Sequence, residues 1–306
     1  NLIFKVLKYK KQEGKDMAKR ISLYNYKEKI GKSTSAYYMA KALSDAGKRV
    51  LMIDADPQCS LTKLSLNLNN SRIKESVVDL HKAVLRAFEG QPIPISAVDP
   101  QVFSDKLFLT PGSSEILKLE ITLSFAHKKE NNMKIFGNIA GAFNEFFNKM
   151  EEKYNLDYII IDFPATMKEI SKNLLMVSDY IAIPTIIDLF MNDTFILLIK
   201  EFHDLNELRN NMIKKYNDSY YSFPDRQPKF IGFLKQDYLF DKKIENKNVK
   251  EISMFTRNIK IIGMLLENEK LRANDYILSQ IPNLNKNKEL FNIFIKEMAE
   301  RIIGLE

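Results

Sequence analysis

The sequence predicts an α/β fold in which a doubly wound, mostly parallel sheet carries helices on both faces. Two observations lead to this prediction. Uninterrupted apolar runs, such as those over 50–53 and 158–161, are typical of parallel strands buried on both faces. Segments with apolar residues at helical spacing alternate with these runs along the chain. Such alternation is typical of βαβ units, which place helices on both sides of a sheet.

A phosphate-binding turn is predicted between the first strand and the first helix. An apolar strand over 21–26 leads into a turn that ends in Gly31-Lys32-Ser33-Thr34, and a helix over 35–46 follows. The N-terminus of a helix offers unpaired N–H groups and the positive end of the helix dipole to an anion. We therefore expect Lys32 to reach the β- and γ-phosphates of a nucleotide, and the hydroxyl of Ser33 to bind Mg²⁺.

Three carboxylates are predicted to lie at the same edge of the sheet as this turn. The strand over 50–53 leads directly to Asp54 and Asp56, and the strand over 158–161 ends at Asp162. Ligands bind outside the carboxyl ends of strands in open α/β sheets. A central buried strand that ends in an aspartate is typical of sites that deliver a carboxylate to Mg²⁺ near a nucleotide.

These segments resemble the motifs of the ParA/MinD-type deviant Walker A ATPases. Residues 27–34, with the sequence K-E-K-I-G-K-S-T, are similar to the family loop K-G-G-V-G-K-[ST]-T. Residues 54–62 resemble the family segment that begins D-x-D-P-Q. Residues 158–166 resemble its Walker B strand and the D-x-P-P-S segment that follows. The resemblance spans 20–300 in element order, but its specific motifs lie in these three segments.

The resemblance implies a P-loop ATPase that binds ATP with Mg²⁺ and forms a homodimer on binding ATP. It places Lys27 at the signature lysine that reaches the nucleotide across the dimer, and Lys32 at the phosphate lysine. It also implies that Asp56 orients the attacking water, and that Ser33 and Asp162 hold Mg²⁺. The residues expected to bind the nucleotide are Gly31, Lys32, Ser33, Thr34, Gln236 and Asp237.

The same resemblance implies a role in the partition of a plasmid or chromosome. ATP-bound dimers would hold non-specific DNA and a ParB-like partner protein that stimulates hydrolysis. Lysines and arginines over 242–272 are candidates for the DNA surface, although a mixed, solvated surface explains them equally well. We expect a cytoplasmic, nucleoid-associated protein without stable membrane association, because the charge of the helix predicted over 289–303 is balanced.

The loop departs from the family at Glu28 and Lys29, where the family has two glycines. Side chains there would be strained if the backbone needed a positive φ, and Glu28 would bring a negative charge near a polyphosphate. One interpretation is that the loop is displaced and Lys29 partly offsets Glu28. The other is that nucleotide binding or hydrolysis is impaired, and the chain is a non-hydrolysing nucleotide-binding regulator or interaction protein.

Composition limits the alternatives. The 306 residues carry a net charge of +7, of which residues 1–20 contribute +5. We expect 1–16 to be a basic arm, disordered or upstream of a true start at Met17, and 17–306 to be a single ATPase domain. Cys59 is the only cysteine, which excludes an internal disulfide and a multi-cysteine metal site within one chain. The three histidines are scattered without metal-ligand spacing.

The remaining elements are predicted from apolar spacing and from breaks at glycine and proline. The aromatic stripe over 135–147 is expected to be core. The turn at Pro111-Gly112 resembles the family turn near the nucleotide-facing rim, but an ordinary strand-to-helix turn explains it equally well. Asp179 and Asp188 are expected to end elements rather than to bind metal. A short helix and a polar loop, 67–72, are predicted over 57–75, and a helix followed by a strand is predicted over 173–176 and 178–185. Further helices are predicted over 77–88, 115–126, 134–154, 190–216, with a break near 192–193, 241–256 and 289–303. Further strands are predicted over 107–109, 229–234 and, as the last one, 259–266.

Overall fold

The structure, a computed structural model, describes residues 17–28, 30–91, 93–128, 133–185, 191–224, 227–236, 277–281 and 288–304. The strands are β1 (Lys19–Leu23), β2 (Val50–Asp54), β3 (Gln101–Ser104), β4 (Leu107–Thr110), β5 (Tyr158–Asp162), β6 (Tyr180–Thr185), β7 (Lys229–Gln236) and β8 (Ile277–Ile281). The α-helices are α1 (Lys32–Asp45), α2 (Ser60–Leu68), α3 (Leu80–Phe88), α4 (Leu119–His127), α5 (Lys134–Tyr154), α6 (Glu169–Met176), α7 (Met191–Lys215) and α8 (Lys288–Ile303). A 3₁₀ helix, Ser114–Lys118, precedes α4.

The strands form one sheet in the order β3-β4-β2-β5-β1-β6-β7-β8. Neighbouring strands are parallel except for β3 and β4, which are antiparallel. Because β5 lies between β1 and β2, the loops that follow these three strands leave the sheet side by side at its carboxyl edge. The predicted fold class is therefore confirmed, and the topology brings the predicted phosphate loop next to the predicted carboxylates.

Both faces of the sheet are covered by helices. Apolar residues of α1 and α8 pack on one face, including Met39, Leu43, Met298 and Ile302. Helices α3 to α7 contribute to the core on the other face, where the aromatic stripe of α5 is buried at Phe143, Phe146 and Phe147. Ile135, at the start of that stripe, is exposed instead. None of the described helices is long and apolar enough to cross a membrane.

The first helix begins earlier than the sequence predicts. Strand β1 ends at Leu23, and α1 begins at Lys32 rather than at residue 35. Gly31 caps α1 with a left-handed backbone (φ 77°), which favours glycine, and its carbonyl accepts the N–H of Ser35 at 2.8 Å. The whole run from Lys32 to Thr34 therefore lies in the first turn of the helix, where backbone N–H groups point towards a ligand.

Other boundaries were also wrong. Helix α3 begins at Leu80 because the carboxylate of Asp79 caps it, accepting the N–H of Lys82 at 3.0 Å. The helix predicted over 115–126 begins as a 3₁₀ helix. Strand β3 was missed because it is a four-residue edge strand with half of its residues exposed. Helix α7 has no break at 192–193, and β8 follows the strand predicted to be last. The elements predicted over 241–256 and 259–266 lie outside the described residues.

Candidate nucleotide-binding site

Asn25 shapes the loop that joins β1 to α1. Its side-chain amide donates to the carbonyl of Pro184 at the end of β6 (2.8 Å), and its Oδ1 accepts the N–H of Lys27 (3.0 Å). Asn25 is buried, so these bonds satisfy polar atoms that have little access to water. Just after the end of β1, the side chain of Asn25 thus ties the phosphate loop to the neighbouring strand β6.

The ammonium of Lys32 lies inside this loop. Its Nζ donates to the carbonyl oxygens of Lys27 (3.1 Å) and Asn25 (3.4 Å). Burial lowers the pKa of Lys32, while the nearby carboxylates of Asp162 and Asp56 oppose that shift. The N-terminus of α1 has no side-chain cap and no acidic residue in its first turn. A cation and the N-terminus of a helix therefore lie together at this loop, as an anionic phosphate requires.

Glu28 does not strain the loop. It is exposed, and among the described non-glycine residues a positive φ occurs only at Cys59, Asn70 and Asn155. The strain expected from a side chain at this position is therefore absent. The negative charge of Glu28 favours the charged form of Lys32, and it therefore opposes the lowering of the Lys32 pKa by burial. Lys29 lies outside the described residues, so its expected compensating role stays a prediction.

Asp162 lies buried beneath the loop, and its environment suits a cation. Burial and the neighbouring Asp54 raise the pKa of Asp162 to about 8. The nearby side chain of Ser33 and the charge of Lys32 oppose this shift, and neither carboxylate oxygen has a hydrogen-bond partner among the described residues. A buried carboxylate without partners is unfavourable. The ion that would satisfy it is a hard cation such as Mg²⁺, which prefers oxygen ligands.

Asp54, which the sequence predicts at this edge of the sheet without a role, is a structural member of the site. It lies opposite Asp162 in the β2–β5 register. Its carboxylate accepts the N–H of Thr62 (2.7 Å), the hydroxyl of Thr62 (2.6 Å) and the N–H of Asp56 (3.1 Å). Thr62 Oγ1 in turn accepts the N–H of Gly112 at 3.0 Å. These bonds tie the loops after β2 and β4 together beside the phosphate loop.

Gly112 is required by this packing. A Cβ atom at residue 112 would lie 2.9 Å from Cγ of Asp54 and 3.1 Å from its carbonyl oxygen. The turn at Pro111-Gly112 therefore lies against the carboxylate cluster, which favours the nucleotide-facing interpretation of that turn over an ordinary connection.

Asp56 lies at the rim of the cluster. It is half-buried, and its Oδ1 accepts the N–H of Gln58 at 2.8 Å. Its negative charge helps to raise the pKa of both Lys32 and Asp162. Asp56 is thus a partly solvated carboxylate close to the buried one, in a position where a water molecule can reach it.

Thr34 is half-buried in the first turn of α1, next to Ser33. The remaining residues named in the sequence analysis are not brought to the phosphate loop. Gln236 is the last residue of β7, two strands from β1 in the sheet, and Asp237 lies outside the described residues, as do Asp188 and residues 237–276. Asp179 directly precedes β6 at the opposite edge of the sheet, where its Oδ2 accepts the N–H of Arg20 at 2.9 Å. It therefore flanks a strand, far from the loop 27–34.

The raised pKa of Asp162 predicts how stability depends on pH in the absence of ligand. Between its ordinary value of 3.8 and about 8 this carboxyl is protonated in the folded chain but ionised in the unfolded chain. The folded state then binds more protons, so its free energy of unfolding falls as pH rises through that window. Between pH 6 and 8 we expect the native protein to lose on the order of 1–2 kcal/mol more than Asp162→Asn. Urea unfolding at both pH values measures this, and equal losses would contradict it.

A second prediction concerns Thr62. Thr62→Val keeps the shape of the side chain but removes one donor to Asp54 and the acceptor for Gly112 N–H. We expect a loss of about 1–3 kcal/mol in the free energy of unfolding, because buried polar atoms lose their partners. Thr62→Ser, which keeps the hydroxyl, is the control and should stay close to the native value. Urea unfolding that cannot separate the two variants would show that the hydroxyl does not hold these loops.

The fold and this geometry define a class. A P-loop nucleoside triphosphatase combines three features that this chain shows: a mostly parallel sheet, a lysine-bearing loop at a helix N-terminus, and carboxylates from two adjoining strands. The family model described as "AAA domain" matches residues 18–215, and the chain belongs to that family, within the ParA/MinD-like ATPases.

Three similar proteins illustrate the relationship. An uncharacterized protein of Methanocaldococcus jannaschii is 27% identical over 80% of this chain and 83% of its own length. The sporulation initiation inhibitor protein Soj of Bacillus subtilis is 25% identical over 55% of this chain, and the match spans 58% of Soj. A putative plasmid partition protein from Borrelia burgdorferi, solved bound to AMPPNP, shares the fold with a TM-score of 0.58. It is 18% identical, and the match covers 95% of this chain and all of that one.

Proposed function

We propose that this chain is a ParA-like ATPase that binds Mg²⁺-ATP, dimerises, binds DNA and drives the partition of a plasmid or chromosome. The observation that carries the proposal is the buried carboxylate of Asp162, which lacks a hydrogen-bond partner among the described residues and lies close to Lys32 and Ser33. Family membership supports it, since ParA/MinD-like proteins are ATPases.

The residues present fit Mg²⁺, which Ser33 and Asp162 would hold. The described residues contain no group of three or more His, Cys, Asp or Glu side chains able to hold a metal, so phosphate and water would complete the ligand shell. When bound, Mg²⁺ neutralises charge on the β- and γ-phosphates. For Asp162 this binding replaces the unfavourable burial of a carboxylate without partners.

The protein's own part in hydrolysis is to position groups and to stabilise charge. Lys32 would leave the carbonyls of Asn25 and Lys27 to bind the phosphates, together with backbone N–H groups at Gly31, Ser33 and Thr34. Asp56 would accept a hydrogen bond from the attacking water and orient it towards the γ-phosphate. Lys27 would bind the nucleotide of the second subunit, adding positive charge where negative charge develops.

The later steps of the proposal come from the family. ATP-bound dimers would bind non-specific DNA on the nucleoid, and a ParB-like protein would stimulate hydrolysis and release them. Residues 1–20 carry +5 of the net charge of +7, so the candidates for phosphate contacts in the domain stay the lysines and arginines over 242–272. The name of the Borrelia neighbour, a plasmid partition protein, supports this output. Gln236 and Asp237 remain our candidates for contacts with the adenine ring.

A second candidate function is a non-hydrolysing nucleotide-binding regulator. The observation that favours it is Glu28, an exposed carboxylate in the phosphate loop whose charge acts on Lys32. That charge would oppose an incoming polyphosphate even though the backbone at Glu28 is not strained.

Turnover of ATP with Mg²⁺, with and without DNA, separates the two functions. We expect the native protein to bind and slowly hydrolyse ATP, and Glu28→Gly to bind it more tightly because a nearby negative charge is removed. Asp56→Asn keeps the acceptor for the N–H of Gln58, so it should bind ATP normally and lose turnover by about 10²-fold or more. Hydrolysis by Glu28→Gly alone would favour the regulator, and an absence of binding in every variant would contradict both functions.

A further inference from the structure

Four aromatic side chains connect the phosphate loop to α7. Tyr24 and Tyr26 lie between β1 and the loop, Phe163 directly follows β5, and Phe202 belongs to α7. The ring of Tyr24 stacks on Phe163, with 5.6 Å between centroids, and meets Tyr26 and Phe202 edge-on at 6.0 and 6.3 Å. Aromatic pairs at such distances stabilise a fold beyond the area that they bury. The cluster therefore packs α7 against the starts of two loops of the candidate site.

Tyr26 adds a hydrogen bond to this packing. Its hydroxyl donates to Oε1 of Glu201, in α7, at 2.5 Å, and both residues are half-buried. Burial and the neighbouring Glu201 raise the pKa of Tyr26 to about 12, so the hydroxyl keeps its proton at neutral pH and remains a donor. A hydrogen bond to an ionised acceptor is stronger than one between neutral groups. The bond is therefore a firm link between the loop and α7.

This link acts on the backbone that carries Lys27. Tyr26 lies between Lys27 and Asn25, whose side chain bonds to the carbonyl of Pro184 in β6 and to the N–H of Lys27. Two consecutive side chains thus tie the segment 25–27 to two different elements, β6 and α7. The carbonyl of Lys27 also accepts Nζ of Lys32 at 3.1 Å, so the same segment contacts the phosphate lysine.

Tyr24 offers a contrast within the same cluster. It is fully buried, and its hydroxyl has no hydrogen-bond partner among the described residues. Tyr24 therefore contributes its ring, whereas Tyr26 contributes a ring and a bonded hydroxyl. Removing each hydroxyl in turn separates the effect of the bond from the effect of aromatic packing.

We infer that Tyr26 and Glu201 are positioning residues, whose hydrogen bond holds the segment 25–27 against α7 and so fixes where Lys27 leaves the loop. This inference rests on the proposed function, in which Lys27 binds the nucleotide of the second subunit. Because the hydroxyl of Tyr26 is already bonded to Glu201, Tyr26 acts through Lys27 rather than by contact with the phosphates. A displacement of about 1 Å can cost about 100-fold in rate, so a lysine that acts across a subunit interface needs a fixed backbone.

A purely structural role of the bond makes a different prediction. Loss of the bond would then weaken the chain that carries the substitution, together with that chain's own nucleotide site. A positioning role instead affects the site of the other subunit, because Lys27 acts there. The two roles therefore differ in which subunit loses turnover.

Amide hydrogen exchange of the nucleotide-free protein tests the anchor itself. Tyr26→Phe keeps the ring and removes the hydroxyl, and Tyr24→Phe is the matched control because it removes a hydroxyl without a partner. We expect the segment 25–28 to exchange about tenfold or more faster in Tyr26→Phe than in the native protein, and at the native rate in Tyr24→Phe. Equal exchange in Tyr26→Phe and the native protein would overturn the inference, whether or not the protein hydrolyses ATP.

ATP turnover tests the consequence for the reaction. We expect Tyr26→Phe and Glu201→Ala each to lower kcat by about tenfold or more at nearly native KM, because the contacts of Lys32 and α1 with the phosphates remain. The double variant should lose no more than either single variant, since both remove the same bond. Glu201→Gln keeps an acceptor, so it should retain turnover within about threefold of the native value. Native kcat in Tyr26→Phe, or losses that add in the double variant, would contradict the inference.

A mixing experiment identifies the subunit that is affected. Tyr26→Phe or Lys27→Ala is combined with an excess of Asp56→Asn, which is impaired in its own site but carries an intact Lys27. In mixed dimers that lysine would serve the site of the other chain, so turnover per Tyr26→Phe chain should return to within about threefold of the native value. Rescue of Lys27→Ala without rescue of Tyr26→Phe would overturn the inference. A native protein without turnover, or a Lys27→Ala that is not rescued, would contradict the proposed function instead, while the exchange result decides separately whether the anchor exists.

Discussion

Replacing Lys32 by methionine is expected to lower the affinity for ATP by about 100-fold and to bring turnover below detection. Methionine keeps most of the length of the side chain and removes the ammonium that now lies between the loop carbonyls and the carboxylates of Asp56 and Asp162. Without that charge, the phosphates would meet two nearby carboxylates with only helix N–H groups to offset them. Binding of ATP is measured by titration calorimetry, and turnover by phosphate release.

Lys63→Met is the matched control for this result. Lys63 is an exposed lysine of α2 whose Nζ donates to the carbonyl of Gln58, close to Asp56 in sequence. It carries the same charge but does not enter the phosphate loop, so its replacement should leave ATP affinity within about twofold of the native value, as is usual for surface changes. If Lys32→Met bound ATP like the native protein, the loop 27–34 would not be the phosphate site.

The second large effect is on stability, at Arg20→Met. Arg20 is fully buried in β1, at the end of the strand away from the phosphate loop. Its guanidinium donates to Oδ1 of Asn144 (2.6 Å), Oδ1 of Asn148 (2.5 Å) and the carbonyl of Val177 (3.3 Å). Methionine fills part of the space but removes these three hydrogen bonds of the guanidinium. We expect a loss of about 2–4 kcal/mol in the free energy of unfolding.

Thermal and urea unfolding measure this loss, with Arg86→Met as the control. Arg86 is an exposed arginine of α3, and its replacement should change stability by no more than about 0.5 kcal/mol. Well below its melting temperature, Arg20→Met should bind ATP with native affinity, because β1 still delivers the loop at its other end. A stable Arg20→Met, or a folded one that cannot bind ATP, would contradict this separation of roles.

Much of the fold follows from local pattern. The buried runs at β2 and β5, the glycine before α1 and the long apolar period of α5 specify their elements within a few residues. The order of the strands then brings the loop 27–34, Asp56 and Asp162 to one edge, because parallel strands have their carboxyl ends on the same side.

The features that sequence did not predict depend on contacts between distant residues. Thr62 joins Asp54 to Gly112, fifty residues further along the chain, and no local pattern marks that bond. The sequence features that pointed to this contact were the D-x-D spacing at 54–56 and the Pro111-Gly112 turn. Likewise, Gly31 has a left-handed backbone and Glu28 does not, so a side chain in a family glycine position did not by itself establish strain.

The outer face of α4 shows the same limit. Apolar residues over 115–126 predict a helix, but the sequence alone does not distinguish the face that packs on α5 and α6 from the face that remains exposed. That distinction required the tertiary arrangement, which leaves Ile121 exposed and Leu123 buried.

Titration calorimetry of ATP into the native protein, with and without Mg²⁺, tests the central claim most directly. We predict saturable binding of a single ATP per chain that weakens when Mg²⁺ is removed, because Ser33 and Asp162 would then lack the cation that links them to the phosphates. An absence of binding in the presence of Mg²⁺, or binding that is unchanged in Lys32→Met, would show that the site at the carboxyl edge of β1 and β5 is not a nucleotide site.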